Sequence, residues 1–258
     1  MSYRNILVEA RNKVAIITLN RPEKRNALSK ELMSELLDSL EQLKKNAEAH
    51  VLVIKGAGVS FCSGHDFSEL VEKDSASYRA TFDLSVRIME AITKLPKPVI
   101  ASVHGYATAA GLQLAASCDL VVASEECRFE TPGVKIGLFC ITPMVALSRS
   151  VGRKKAMELL LTGDPIDAKE AERIGLVNKV VPLNQLEKAT MELAEKIANF
   201  SPVPISFGKP AFYAAADMEY LTAFHYAKEI GTLNLLAEDA QEGIKAFLKK
   251  TTPEWKGK

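Results

Sequence analysis

The chain lacks the charge excess of a nucleic-acid or membrane-surface protein: 33 Lys and Arg stand against 32 Asp and Glu, leaving +1 over 258 residues. No nucleic-acid or membrane partner is expected. Cysteine is scarce, at Cys62, Cys118, Cys127 and Cys140, with neither a C-x-x-C pair nor zinc-ligand spacing. A disulfide framework and a metal site are therefore not expected, and the thiols read as reduced in a cytoplasmic setting. With only 14 Gly and 11 Pro, collagen-like and low-complexity chains are excluded. Met1 to Ala10 has no apolar core or small-residue cleavage site, so export is not expected. The longest uncharged run, Pro98 to Cys118, contains Ser102, His104, Thr108, Gln113 and Ser117 and is broken by Gly105. It reads as buried strand, loop and helix rather than a membrane span. Nucleotide signatures are missing too. Gly56-Ala57-Gly58 follows a strand, but Phe61 stands where a dinucleotide fingerprint has its third glycine, and there is no P-loop, G-x-S-x-G elbow or H-E-x-x-H spacing.

What is present is ordinary globular material, 47% hydrophobic and 25% charged. At 28.2 kDa, folding reduces roughly 41,000 Å² of extended-chain surface to roughly 11,000 Å², enough for a large core without covalent staples. Ile6 to Glu9 and Val14 to Asn20 suggest a hairpin across Arg11-Asn12-Lys13. The period then changes: Leu32, Leu36, Leu40 and Leu43 make one apolar stripe on a helix entered through Ser29. Val51 to Lys55 reads as a buried strand and Tyr78 to Leu95 as a helix stopped by Pro96 and Pro98. The order recurs as strand Pro98 to His104 and helix Ala109 to Cys118, then strands Leu120 to Ser124 and Arg128 to Thr131 before a helix begun at Thr142-Pro143. A helix from Ala168 to Ile174, closed by Gly175, and a strand from Val177 to Val181 follow. Beyond Pro182 only helices are expected, with an Asn184/Glu187 capping box and later helices at Phe207 to Ala215, Tyr220 to Leu236 and Gln241 to Lys249. The pattern predicts an α/β fold with largely parallel strands over 1–199 and a helical region over 200–258.

Two loops combine glycine with backbone donors where buried strands end. In Ser60 to Phe67, Gly64 permits a sharp bend, and the His65 and Asp66 N–H groups are placed to open a short helix. In His104 to Gln113, small residues let another backbone or a ligand approach the start of an apolar helix. Such loops serve either as tight packing turns or, jointly, as two N–H donors for one developing oxyanion.

At these residues the chain resembles the enoyl-CoA hydratase/isomerase, or crotonase, family. The resemblance rests on Asn20-Arg21-Pro22, Asn26-Ala27-Leu28, Ser63-Gly64-His65-Asp66, Pro98 through Ala107, Cys118-Asp119-Leu120, Phe129 through Gly137, and Glu242-Gly243-Ile244 with Ala246-Phe247-Leu248. It implies a crotonase-like spiral of strand-strand-helix units with a helical C-terminal region, assembled as a homotrimer or homohexamer. The substrate would be an acyl-CoA thioester in fatty-acid or related metabolism, with coenzyme A as part of the substrate and no separate cofactor. The resemblance gives the oxyanion-hole N–H groups to His65 and Ala110, and it sets Ala27, Ser63, Gly64, Asp66 and Phe67 along the nucleotide and pantetheine path. Lys24 and Arg25 fall within reach of the CoA phosphates, although a charged loop beside Pro22 reads equally as a solvated face.

The chain departs from the family at the acids. Its hydratases carry two glutamates, which fall here at Gln113 and Gly133, and the acid of some isomerases falls near Ile141. An amide does not exchange protons near neutral pH, and glycine has no side chain. Glu130 stands three residues before Gly133, an odd offset that turns it to the other face of a strand. Family decarboxylases of methylmalonyl-CoA resemble this loop in having a histidine at the position of His65, but their tyrosine falls at Cys140. Here His65 supplies either a catalytic ring or only its backbone N–H. The expectation is an acyl-CoA protein that stabilises a thioester enolate with little hydratase activity. The alternatives are a decarboxylase using His65 and a non-catalytic acyl-CoA binder. Asp119 is expected to be a buried structural carboxylate, His50 and His225 surface or packing residues, and Cys62 and Cys140 unactivated thiols at the pocket border.

Overall fold

The computed structural model of the chain describes residues 3–258. Met1 and Ser2, which begin both the segment read for an export signal and the 1–199 unit, lie outside the described residues. The N-terminal hairpin forms as expected from β1 (Ile6–Arg11) and β2 (Val14–Leu19). Helix α1 (Lys30–Lys45) starts where the Ser29 hydroxyl accepts the Leu32 N–H at 3.2 Å. Next come β3 (Val51–Gly56), α2 (Ser75–Lys94), β4 (Val99–Val103), β5 (Tyr106–Thr108) and α3 (Ala110–Ser117). The middle of the chain continues with β6 (Leu120–Ser124), β7 (Arg128–Glu130), α4 (Pro143–Ser150), α5 (Arg153–Thr162), β8 (Ile166–Asp167) and α6 (Ala168–Arg173). Strand β9 (Lys179–Val181) and α7 (Leu183–Ala198) close the sheet-bearing part, followed by α8 (Pro202–Ala216), α9 (Tyr220–Leu236) and α10 (Glu238–Lys249).

The large sheet has the order β1-β2-β3-β4-β6-β9, antiparallel at the first pair and parallel thereafter. A small sheet, β5-β7-β8, is fed by the chain as it leaves the large one. Thus β4, β5 and α3 form one strand-strand-helix unit and β6, β7 and α4 the next, giving the crotonase-like spiral. Burial explains the composition of β2. Ala15, Ile17 and Leu19 enter the main core with Leu32, Leu36 and Leu40 of α1, whereas Val14 and Ile16 face the other way, with Leu186 and Ala189 of α7. Both faces are covered, so five of its six residues are apolar and Thr18 is buried with them.

Several details differ from the sequence reading. The stretch at Tyr106–Thr108, expected as loop, is a strand because it pairs in register with β7. Helix α5 was not anticipated. Ala156, Leu159 and Leu160 bury its inner face, but its charged first turn follows α4 so closely that the two merge in a periodicity reading. The capping box at Asn184/Glu187 does not form, because α7 already begins at Leu183 behind Pro182 and Asn184 lies inside the helix. The last strand is shorter than Val177 to Val181, since Asn178 turns its side chain to accept the Val121 N–H at 2.7 Å. Helices α2, α8 and α10 all begin earlier than expected.

Candidate functional site

The first loop is held between two neighbours. On one side the Phe61 N–H donates to His104 O (2.9 Å) and Cys62 N–H to Tyr106 O (3.1 Å), while Thr108 N–H returns to Cys62 O (3.0 Å). On the other, Leu28 N–H donates to Gly64 O (2.7 Å) and Asp66 N–H to Leu28 O (3.1 Å). In this parallel pairing of Leu28 with His65, the His65 N–H points away from Leu28. It has no acceptor among the described residues. The Asp66 N–H is spent on Leu28, so it does not open the short helix at Phe67–Glu69 as expected. The Asp66 carboxylate caps that helix instead, accepting the Ser68 N–H at 3.2 Å.

The second loop ends where Ala110 begins α3, leaving its N–H among the unpaired donors of a helix start. Two glycines make the approach of the loops possible. A Cβ on Gly64, whose φ is +92°, would lie 2.9 Å from Thr108 O and 3.3 Å from the Ala110 nitrogen. A Cβ on Gly111 would lie only 2.2 Å from Cys62 O. Between them Ala109 takes φ +50°, ψ −113°, a conformation that costs a side-chain-bearing residue about 1–3 kcal/mol. It is held there by its N–H to Glu130 O and by its own carbonyl, which accepts the Gln113 N–H, both at 2.9 Å. The spacing of the two loops is therefore set by backbone packing, and two unclaimed donors in such an arrangement can hold one oxyanion.

The residues at which the resemblance sets the family's acids lie in different surroundings. Gln113 is buried at the wall of a cavity of about 770 Å³ between α2, α3 and α4, and its Oε1 accepts the Thr142 hydroxyl at 3.0 Å. A Cβ on Gly133 would meet Leu138 O at 2.9 Å and Cys140 Sγ at 3.0 Å, so this space is already filled. Ile141 is 57% exposed. Glu130 takes the Thr108 hydroxyl at 3.0 Å on the neighbouring strand. The His65 ring packs edge-on to Phe82 at 5.7 Å between centroids, and neither buried ring nitrogen has a partner among the described residues. Burial pushes its pKa below the ordinary value, which favours the neutral imidazole.

Of the remaining candidates, Ala27, Ser63 and Gly64 line the inner turn, while Lys24, Arg25 and Phe67 are exposed at its mouth. The Ser63 N–H donates to Arg25 O at 3.0 Å, tying the two parts together. Asp66 pairs with Arg21 at 3.0 Å. Its carboxyl is held below the usual range by the Ser68 hydrogen bond and by Arg21. The sequence reading missed the hub of this turn, Asn26. Fully buried at φ +55°, it accepts the Arg21 N–H at 2.9 Å and donates to Ala57 O and Ser60 O, each at 2.8 Å. Phe82 and Thr142 were missed as well, because each acts through a long-range neighbour. Asp119 is structural as expected, accepting Val99 N–H (2.6 Å), Lys209 Nζ (2.7 Å) and Tyr213 OH (2.9 Å), which anchors α8 to the core. Burial pushes the Cys62 thiol up to about 12, and Cys140 is raised for the same reason. No helix among the described residues is long and apolar enough to cross a membrane.

The family model described as enoyl-CoA hydratase/isomerase matches residues 9–258. The chain is 44% identical over 240 residues to the mouse (Mus musculus) protein named enoyl-CoA hydratase domain-containing protein 3, mitochondrial, covering 93% of this chain and 80% of that one. It is 35% identical to the 2,3-dehydroadipyl-CoA hydratase of Escherichia coli strain K12 over 98% of this chain and 99% of the other. The crystal structure of human enoyl-CoA hydratase domain-containing protein 3 superposes with a TM-score of 0.94 at 43% identity, covering 98% of this chain and all (100%) of that one. An enoyl-CoA hydratase structure from Mycobacterium smegmatis gives 0.95 at 39% identity, covering 98% and 99%.

Proposed function

The chain belongs to the enoyl-CoA hydratase/isomerase family, and on that footing we propose that it binds an acyl-CoA thioester and stabilises its enolate. The observation that carries this reading is the pair of unclaimed N–H groups, His65 and Ala110, on loops brought together by Gly64 and Gly111. A thioester oxygen lying between them gains charge as the enolate forms, and preorganised donors sheltered from water contribute several kcal/mol at that moment. Coenzyme A is part of the substrate, and no separate cofactor is required. Its path runs past Ala27, Ser63, Gly64, Asp66 and Phe67, with its phosphates at Lys24 and Arg25. Hydration is expected to be weak, because Gln113 and Gly133 stand at the family's glutamate positions. Calorimetric titration with acetyl-CoA tests the reading. Saturable binding supports it, and the absence of heat at millimolar ligand overturns it.

A second reading is a decarboxylase of the methylmalonyl-CoA type, favoured by the buried and unpartnered ring of His65. Consumption of methylmalonyl-CoA that disappears in His65→Ala supports it. Acetyl-CoA binding without turnover of either substrate class points instead to a non-catalytic binder.

We also propose that the helical 200–258 region meets other copies of the chain in a trimer or hexamer. The chain's surface of 13,836 Å² exceeds the roughly 11,000 Å² of a compact monomer of this mass. Helix α9 buries none of its residues, and Phe212, Phe224, Leu236 and Phe247 are exposed. Sedimentation equilibrium at micromolar protein is expected to give a multiple of three, and a monomer refutes the assembly. Four buried free thiols support a reducing, cytoplasmic compartment.

A further inference from the structure

We infer that Gln113 selects acyl-CoA thioesters bearing a neutral oxygen on the acyl β-carbon, the 3-oxoacyl class, by donating an amide N–H to that oxygen. The inference rests on the thioester reading of the His65 and Ala110 donors and adds a substrate class to it. Gln113 is only 4% exposed and lines the cavity between α2, α3 and α4. Thr142, just before the first turn of α4, makes no cap hydrogen bond with its side chain, and its hydroxyl donates to Gln113 Oε1 at 3.0 Å. With the acceptor end of the amide claimed, Nε2 is the end left over. It has no acceptor among the described residues.

Position on the helix relates this donor to the thioester. Ala110 and Gln113 stand three residues apart on α3, which puts them on one face with a rise of about 4.5 Å between them. With the thioester oxygen at the Ala110 N–H, the side chain one turn further along meets the β-carbon of the acyl group. A carboxylate here would accept a proton from water or substrate, whereas the amide presents N–H and requires an oxygen acceptor. An unsubstituted acyl chain would bury that donor without a partner, which is the penalty that makes hydrogen-bonding pockets selective. The acceptor is neutral because the cations at this cavity are already paired, Arg149 with Asp217 at 3.4 Å, Lys209 with Asp119 at 2.7 Å and Lys94 with Glu90. A substrate carboxylate would find no unpaired cation among the described residues that line it.

The test is calorimetric titration of the full-length protein with acetoacetyl-CoA, butyryl-CoA and malonyl-CoA. Acetoacetyl-CoA is expected to bind about ten-fold more tightly than butyryl-CoA. The difference should disappear in Gln113→Met and fall to about three-fold in Thr142→Val, where the amide is free to turn. Should Gln113→Met fail to fold, Thr142→Val carries the test alone. Equal affinities in the wild type, a preference that survives both substitutions, or tighter binding of malonyl-CoA than of acetoacetyl-CoA each overturns the assignment. Failure of all three thioesters to bind the wild type overturns the thioester pocket itself, whereas equal binding of all three removes only the role of Gln113.

Discussion

Gly111→Ala is the sharpest perturbation of the site, because it adds one methyl group at the point where the two loops touch. The new Cβ would stand 2.2 Å from Cys62 O, 2.8 Å from its carbonyl carbon and 2.9 Å from its Cβ. Ordinary contact begins at 3.4 Å, so Cys62 and the start of α3 must part by about 1.2 Å, a shift of the size that disables precisely placed groups. Both neighbours are fixed. Cys62 is paired to β5 on both its N–H and its carbonyl, and α3 is packed on the core by Leu112, Leu114 and Ala115. The displacement therefore falls between the Ala110 and His65 N–H groups, whose useful range for an oxyanion spans only about 2.7–3.1 Å. Loss of one such donor lowers turnover by roughly 10²–10³ and weakens binding of the ground-state thioester by about ten-fold. Alanine raises helix propensity by about 1 kcal/mol, which offsets part of an overpacking cost of about 1–3 kcal/mol. The melting temperature should thus fall by only a few degrees while acyl-CoA affinity falls ten-fold. Gly208→Ala is the control: this helical glycine has nothing within 4 Å of an added Cβ, so stability should rise slightly and affinity should not change. Wild-type affinity for acetyl-CoA in a folded Gly111→Ala protein would refute the argument that backbone contact sets the donor spacing.

Placing glutamates at positions 113 and 133 should not confer hydration, for a steric reason. In Gln113→Glu with Gly133→Glu, the second Cβ meets Leu138 O at 2.9 Å and Cys140 Sγ at 3.0 Å, so crotonyl-CoA hydration, followed by loss of enoyl absorbance, should stay near background. Adding Cys140→Ala relieves only the thiol contact, and efficient hydration in the double variant would show that the loop yields easily. Burial holds His65 below its ordinary 6.5. As pH falls through that value the unfolded chain binds a proton that the folded chain refuses, so stability present above pH 6.5 declines by up to about 1.4 kcal/mol per unit until the folded pKa is reached. Urea unfolding at pH 5.5 and 7.5 should show this slope, and a slope unchanged in His65→Gln assigns it elsewhere. Asn26→Ala removes all three hydrogen bonds of one fully buried amide and should cost about 3 kcal/mol. Asn26→Gly suits φ +55°, so it should cost less than Asn26→Ala; equal losses would mean that backbone strain plays no part.

Fold and site were legible in the sequence to different depths. The Leu32, Leu36 and Leu40 stripe and the largely apolar β2 carry their partners in their periodicity, so the sheet and its first helix followed directly. Gly64 and Gly111 marked the loops as places of close approach, but what approaches them depends on contacts across about 45 residues, which a local pattern does not encode. The same holds for Thr142, whose partner Gln113 lies 29 positions away. Asn26 gave the faintest signal. Asparagine tolerates a left-handed backbone, yet nothing nearby in sequence announces that its amide bridges to Ala57 and Ser60. Ala109 shows the opposite failure. Alanine is a poor guide to a positive φ, and the strained turn is held by the tertiary bond of its N–H to Glu130 O together with the Gln113 N–H on its carbonyl.

The surroundings of Gln113, Gly133 and Glu130 also constrain what the proposed enolate-stabilising site is able to do. Gly133 is backed by Leu138 and Cys140, Gln113 is tethered to Thr142, and Glu130 is engaged by Thr108. Burial raises the pKa of the Cys140 thiol, which makes it a poor proton exchanger at neutral pH. Lowering the pKa of His65 leaves its ring neutral, able to accept a proton but not poised to deliver one. Addition of water across a double bond needs a base for the water and an acid for the α-carbon in the same turnover, and neither is supplied in pairs. A reaction whose electrons come from a breaking C–C bond needs only charge stabilisation at the thioester oxygen, followed by protonation from solvent. Solvent exchange at the α-carbon of bound acetyl-CoA separates these cases. Deuterium uptake from D₂O at an enzymatic rate would reveal a competent base and defeat the argument, whereas binding without uptake is what these surroundings of Gln113 and Gly133 require.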